Sequence, residues 1–301
     1  MVGLPFKPCI LIEVMKRVLT AAVLILVVFA LIFFGKLWML TLFAAIVAEL
    51  AAYEYLQLAA VGAEANGAKL RIPLWWMVLG TALAFVVTLP NFPVEDQLPV
   101  LSALTLALFA WNGFRAPLIQ VLPDTAQGLF GLIYIAYPLT LIPLLWSKEN
   151  GPTLVLFLMV CVWTGDVAAL YVGRAFGKHK LAPRLSPGKT WEGAIASIVG
   201  SILAATIVVL IADALTARGN LLLHISQPLW QTLLLAAILN IAAQVGDLLE
   251  SAIKRGAGVK DSGTMLPGHG GILDRIDALL LATPILWFAL LIKDYFGLGR
   301  F

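Results

Sequence analysis

Long apolar segments separated by short polar ones run along almost the whole chain. Nine of them approach the roughly 20 residues that an α-helix needs to cross the hydrocarbon core of a bilayer. Because the fourth and ninth segments are short and the stretch 116–122 is ambiguous, the pattern is consistent with eight to ten spans. We therefore predict an all-α, polytopic integral membrane protein with about nine transmembrane helices. The predicted spans are 18–34, 37–56, 72–89, 98–113, 129–146, 153–172, 193–215, 229–245 and 278–292.

The composition supports a membrane protein and excludes several other classes. Of the 301 residues, 61% are hydrophobic and 12% are charged, whereas soluble chains are roughly half apolar and about a quarter charged. This balance excludes a soluble enzyme and a disordered tail. The net charge of +3 is too small to favour nucleic-acid binding. Cys9 and Cys161 form no CxxC pair, so they indicate neither a disulfide framework nor a zinc site.

The basic residues indicate which loops face the cytoplasm. With nine spans and a cytoplasmic N-terminus, fifteen of the 20 Lys and Arg residues fall in inside segments and five in outside ones. This distribution follows the positive-inside rule. The first apolar segment follows Lys16 and Arg17 like a signal peptide, but no small-residue cleavage site comes after it. We therefore expect it to be an uncleaved anchor.

Charge is unevenly distributed between the two halves of the chain. Residues 1–150 form an N-terminal transmembrane region in which polar residues are scattered. Residues 151–301 form a C-terminal transmembrane region in which sixteen of the 37 ionised side chains lie in two windows, 166–192 and 246–277. Both windows contain loops that the predicted topology places in the cytoplasm, 173–192 and 246–277. We therefore predict that these loops meet in a catalytic site.

Carboxylates in the second window have the spacing of a helix face. Asp247, Glu250 and Lys254 follow one another at intervals of three and four residues, and Asp274 and Asp277 are three apart. Carboxylates that face one another repel unless a cation lies between them, and Mg²⁺ prefers such oxygen ligands. A solvated helix end with a Glu250–Lys254 ion pair would explain the same spacing, but carboxylates at membrane depth are costly and usually functional.

Glycines and cations occur together between these carboxylates and in the first window. Glycine lets backbone N–H groups approach a phosphate, and Lys and Arg neutralise it. Ser186 precedes the predicted seventh span, and a helix N-terminus favours anions. Topology and attraction to anionic lipid headgroups would also explain the basic residues, and His269 would ordinarily be a hydrogen-bonding residue. The candidate phosphate-binding cations are Lys189, Lys254, Arg255 and Lys260.

The second window resembles the signature of the CDP-diacylglycerol synthase, or phosphatidate cytidylyltransferase, family. That signature is Ser-x-x-Lys-Arg, four residues, Lys-Asp-x-Gly, and then Pro-x-His-Gly-Gly-x-x-Asp-Arg-x-Asp. The run from Ser251 to Asp277 contains every element. The stretch 173–193 also resembles this family, and 51–55 does so more weakly. The family usually has Asp-Ser/Thr-Gly-Ala-Tyr where this chain has Asp166 and Val167, so the acid is retained and the hydroxyl is lost.

The resemblance implies that CTP and phosphatidate react to give CDP-diacylglycerol and pyrophosphate. It implies Mg²⁺ as cofactor, a cytoplasmic active site in the inner (plasma) membrane, and a homodimer. We expect the metal at Asp247, Asp274 and Asp277, with Glu250 a further candidate. The expected catalytic residues are Asp247, Asp274, Asp277, Lys254 and His269. The expected substrate-binding residues are Ser186, Lys189, Arg255, Lys260, Asp261, Arg275 and Asp166.

Two other functions fit an apolar chain of this kind less well. A transporter would place ionisable residues near the midplane of several helices, often with repeat symmetry, whereas the charge here is gathered at helix ends on one side. A lipid kinase or a CDP-alcohol phosphotransferase would keep the enzyme class and change the chemistry. The latter needs a different run of aspartates and glycines, which the sequence lacks. The sequence does not identify the cytidine-reading residues or the acyl-chain preference.

Overall fold

A computed structural model describes residues 22–89, 92–93, 97–225, 227–266 and 270–296. Within these residues the chain is mostly helical. The α-helices are α1 (Ala22–Phe34), α2 (Leu37–Ala65), α3 (Leu74–Val87), α4 (Gln97–Arg115), α5 (Leu118–Gly131), α6 (Tyr137–Trp146), α7 (Gly151–Phe176), α8 (Trp191–Thr216), α9 (Leu229–Gly256) and α10 (Leu273–Phe296).

The helices agree with the predicted polytopic membrane protein. Seven helical stretches in the described part of the chain are long and apolar enough to cross a bilayer, and α1 and α3 are shorter apolar helices. Each of the nine predicted segments falls on a helix where the structure describes it, and residues 18–21 of the first lie outside the described residues. The fifth segment was predicted to begin at residue 129, which is wrong, because α5, a π-helical turn (Leu132–Ala136) and α6 form one stretch, Leu118–Trp146. Polar residues and Pro123 near its start weaken the apolar signal there.

A small β-hairpin departs from the all-helical prediction. Strands β1 (Lys180–Ala182) and β2 (Ser186–Thr190) pair antiparallel between α7 and α8, with Lys180 opposite Thr190 and Ala182 opposite Ser186. The Ser-Pro-Gly-Lys-Thr run of β2 has neither the β-branched content nor the alternation of a strand. Its pairing with β1 therefore arises from tertiary structure. The hairpin lies at the junction where α8 begins.

Helices α7 and α8 pack closely through small residues. Gly193, Ser197, Ser201 and Ala205 follow one another at four-residue intervals on α8, and all four are buried. Such a stripe lets two membrane helices approach each other. The Ser201 hydroxyl donates to the Cys161 carbonyl across this contact at 2.5 Å. The stripe thus fixes α8, and with it the hairpin, against α7.

The polar face of α9 joins α8 and α10. The Asn240 amide donates to the hydroxyls of Ser197 and Ser201 at 3.0 and 2.7 Å, and Gln244 donates to the Ala194 carbonyl at 3.2 Å. One turn further, a Cβ on Gly246 would lie 2.7 Å from the Asp277 carbonyl oxygen of α10. Only glycine allows this approach, so the charged ends of α9 and α10 are held side by side.

Gly165 provides a test of this packing. Its Cβ would meet the Asn240 amide and would lie 2.8 Å from both the Ser197 and Ser201 hydroxyls. We expect Gly165→Val to destabilise the protein by about 3 kcal/mol, because the side chain overpacks the contact and separates hydrogen-bonded groups. Thermal unfolding in detergent measures the change.

The matched control is Gly113→Val, since Gly113 also lies within a helix and its Cβ would meet nothing within 4 Å. We expect this variant to unfold within a degree or two of the wild type. Equal losses in the two variants would contradict the proposed role of Gly165.

Candidate active site

Lys254 on α9 lies between two carboxylates. Its ammonium nitrogen is 2.6 Å from Asp274 Oδ1 on α10, and it also pairs with Glu250 one turn earlier on α9. The Glu250 side chain is fully buried, and the side chains of Lys254 and Asp274 are only 12% and 8% exposed. Buried charges are tolerated only when they are paired and hydrogen-bonded. Lys254 is therefore the counterion of both carboxylates, and the predicted Glu250–Lys254 pair is confirmed in a buried rather than a solvated setting.

Asp274 also organises the loop that joins α9 to α10. Its second oxygen, Oδ2, accepts hydrogen bonds from the backbone N–H of Gly271 at 2.8 Å and of Ser262 at 3.0 Å. The Ser262 hydroxyl lies 3.0 Å from the same oxygen. The Asp274 carboxylate therefore binds the Lys254 ammonium through one oxygen and holds Ser262 and Gly271 of the loop together through the other.

Glu54 of α2 completes this network, although we did not predict it as a site residue. Its carboxylate is buried and accepts from the backbone N–H of Ile272 at 3.0 Å and of Leu273 at 2.9 Å. The Ser262 hydroxyl lies 3.0 Å from it. A carboxylate is favourable at a helix N-terminus, and here it caps α10. The signal in the sequence was an acid within a long apolar helix, inside the 51–55 stretch that weakly resembles the family.

The structure brings the two charged windows together. Lys189 on β2 places its ammonium 2.6 Å from Asp247 Oδ2 on α9. The Arg255 guanidinium at the end of α9 donates to the Leu185 carbonyl in the hairpin turn at 3.2 Å. The hairpin is therefore attached to α9 by a charged pair and by a charge-assisted hydrogen bond.

Three aspartates on three helices, Asp166 on α7, Asp247 on α9 and Asp277 on α10, lie within electrostatic range of one another. The charges of Asp247 and Asp166 both act on Asp277, and those of Asp247, Lys189 and Arg275 act on Asp166. Asp277 Oδ1 accepts the neighbouring N–H of Ala278 at 2.8 Å. In the described residues no three His, Cys, Asp or Glu side chains are grouped closely enough to hold a metal ion as they stand. Three of the four predicted metal ligands instead form ion pairs with lysines. Glu250 and Asp274 pair with Lys254, and Asp247 pairs with Lys189.

The remaining predicted residues lie around this centre. Lys260, Asp261 and Arg275 are exposed, and Ser186 is half-buried at the start of β2. The expected helix N-terminus at Ser186 is wrong, because Thr190 caps α8 and accepts from the Gly193 N–H at 3.2 Å. His269 lies outside the described residues.

Known proteins resemble this chain along most of its length. The model of the cytidylyltransferase family matches residues 15–293. A phosphatidate cytidylyltransferase of Brucella melitensis is 44% identical over 158 residues, which are 52% of this chain and 54% of that protein. A phosphatidate cytidylyltransferase of Staphylococcus saprophyticus is 33% identical over 272 residues, 90% of this chain and 96% of that protein. The uncharacterized protein YnbB of Escherichia coli is 32% identical over 264 residues, 88% of this chain and 83% of that protein.

The match to the Brucella protein spans about half the length of that relative, whereas the match to the staphylococcal protein spans nearly all of it. The family model extends from the first apolar segment to the last helix, and it includes both charged windows and Glu54. On this coverage the chain belongs to the cytidylyltransferase family.

Proposed function

We propose that this chain transfers the cytidylyl group of CTP to phosphatidate and so produces CDP-diacylglycerol and pyrophosphate for phospholipid synthesis. The contact between Lys189 and Asp247 carries the proposal, because it joins a cationic hairpin to the carboxylates of α9 and α10. Such a site suits the reaction of two phosphate-bearing substrates. The relatives that are named phosphatidate cytidylyltransferases support the same reaction.

The chemistry needs cations more than it needs a base. A phosphate oxygen of phosphatidate attacks the α-phosphorus of CTP, and pyrophosphate leaves with the electrons of the broken P–O bond. A phosphate monoester is already anionic near neutral pH, since its second pKa is about 6, so no side chain has to remove a proton. The main obstacle is repulsion between two polyanions, which positively charged groups relieve.

We assign the phosphate contacts to cations at the rim of the site. Lys189 lies at the carboxylate cluster, and the Arg255 guanidinium is held by the carbonyls of Leu185 and Val259. Lys260 and Arg275 are exposed nearby in sequence. Lys254 was expected to bind phosphate, but its buried pairing with Glu250 and Asp274 favours a role in ordering the carboxylates.

The aspartates outside the Lys254 network suit Mg²⁺. We propose that Asp166, Asp247 and Asp277 would hold the ion, because they come from three helices and lie within electrostatic range of one another. They are not grouped closely enough as they stand, so binding would require them to move together. The Lys189 ammonium on Asp247 occupies a position that favours a cation. Mg²⁺ takes oxygen ligands and binds substrate phosphates, and it would neutralise developing charge on them. Glu250 and Asp274 are committed to Lys254, so we do not propose them as ligands.

We propose nine spans, a cytoplasmic N-terminus and a site on the cytoplasmic side of the inner membrane. CTP is water-soluble and phosphatidate stays in the bilayer, so a site at the inner ends of apolar helices is reachable by both. The distribution of Lys and Arg supports this orientation. The resemblance to the family is the basis for proposing a homodimer.

A direct assay tests the reaction. Purified protein in detergent is supplied with labelled CTP, phosphatidate and Mg²⁺, and lipid-soluble label and pyrophosphate are measured. We expect both products in equal amounts, and we expect turnover to stop when phosphatidate is omitted or the metal is chelated by EDTA. Label that never enters the lipid fraction, or pyrophosphate release that does not need phosphatidate, would contradict the proposed function. Full turnover in EDTA would contradict the metal site.

A second prediction concerns Lys189. We expect Lys189→Met to lower kcat/KM by roughly 100-fold, because one charge that stabilises the reacting phosphates is lost. The control is Lys180→Met, which removes the same charge from the other strand of the hairpin, where Lys180 is exposed. Near-normal kinetics for Lys189→Met, or equal losses in both variants, would exclude a specific phosphate contact.

A further inference from the structure

Tyr134 lies in the π-helical turn Leu132–Ala136, in the middle of the helical stretch Leu118–Trp146. A π-turn inserts one extra residue into an α-helix, and such turns are frequent at functional sites. The extra residue changes the direction in which the following side chains leave the helix. Ile135 and Ala136 beside it are fully buried, whereas Ile133 is half exposed, so one face of the turn packs within the bundle.

The hydroxyl of Tyr134 is buried and meets no hydrogen-bond partner among the described residues. The ring itself is held firmly, since it stacks on Phe130 with ring centroids 5.2 Å apart and planes only 12° apart. Tyr55, which also contacts Phe130, differs in that its hydroxyl donates to the Gln127 carbonyl at 3.0 Å. Leaving a buried hydroxyl unpaired is unfavourable, which indicates that a ligand supplies its partner.

The surroundings of this hydroxyl identify the kind of ligand. The phenol lies within electrostatic range of Glu250, Asp277 and Asp247. None of these carboxylates accepts its hydrogen bond. A ligand that pairs with this hydroxyl must accept a hydrogen bond from the phenol, and near these carboxylates it needs a cation of its own. A phosphoryl oxygen accompanied by a cation has both properties.

We propose that Tyr134 is a substrate-binding residue whose phenol donates a hydrogen bond to a phosphoryl oxygen in the cytidylyl-transfer site. The inference rests on the proposed function. The phosphoryl group belongs either to phosphatidate or to CTP, and these two sources share the chemistry that the phenol recognises.

Kinetics of Tyr134→Phe test the proposal. We expect kcat/KM to fall about 10- to 100-fold, as for the loss of a hydrogen bond to a charged group. The thermal midpoint in detergent should be unchanged or slightly higher, because an unpaired hydroxyl is removed. A rise in the KM for phosphatidate alone assigns the bond to the lipid, and a rise in the KM for CTP alone assigns it to the nucleotide. The control is Tyr137→Phe, an exposed tyrosine of the same helical stretch, which should behave as the wild type.

Calorimetric binding of CTP and of phosphatidate to both proteins separates this inference from the proposed function. If the wild type does not transfer cytidylyl groups but Tyr134→Phe weakens the binding of one ligand, the proposed function fails and the inference stands. If the wild type turns over and Tyr134→Phe retains its kcat and both KM values, the inference is wrong. The inference is also overturned if Tyr134→Phe lowers the thermal midpoint together with the activity. It is overturned as well if the wild type and Tyr134→Phe bind both ligands equally, or if neither protein shows detectable binding.

Discussion

The ammonium group of Lys254 determines how the inner end of the helix bundle can be arranged. It is the counterion of Glu250, which is fully buried, and of Asp274, which is nearly so. Removing one partner of a buried ion pair commonly costs about 3–5 kcal/mol, because an uncompensated charge remains. Helices α9 and α10 therefore cannot separate without leaving charge unpaired in an apolar interior, and the polar face of α9 fixes α8 at the same time.

The same network joins the first half of the chain to the second. Asp274 binds Ser262, Ser262 lies against Glu54, and Glu54 caps α10 from α2. The loop between α9 and α10 is thus held from two directions by carboxylates that are already satisfied. Asp166, Asp247 and Asp277 lie outside this network, and they are the carboxylates that we propose as ligands of a cation. The division explains why so many acids can lie near one another, since each group has a different counterion.

Features encoded by local spacing could be predicted from the sequence. Apolar runs gave the helices, and three- and four-residue intervals gave the Glu250–Lys254 pair on α9. The contact between Lys254 and Asp274 joins residues 20 apart, and the bond from Leu273 to Glu54 joins residues 219 apart. No periodicity specifies such contacts, so Glu54 could be noticed only as an acid in an apolar helix. The π-turn at Tyr134 leaves no local pattern either, because it only interrupts a continuous apolar run.

The capping of α10 by Glu54 tests this account most directly, because it hydrogen-bonds α2 to the end of the loop. Hydrogen–deuterium exchange of the segment 257–275 can be compared in the wild type, in Glu54→Gln and in Glu49→Gln, which carries the same change on the same helix. We predict faster exchange at Ile272 and Leu273 in Glu54→Gln alone, because those N–H groups lose a carboxylate acceptor. Exchange in this segment that is the same in all three proteins would contradict the account.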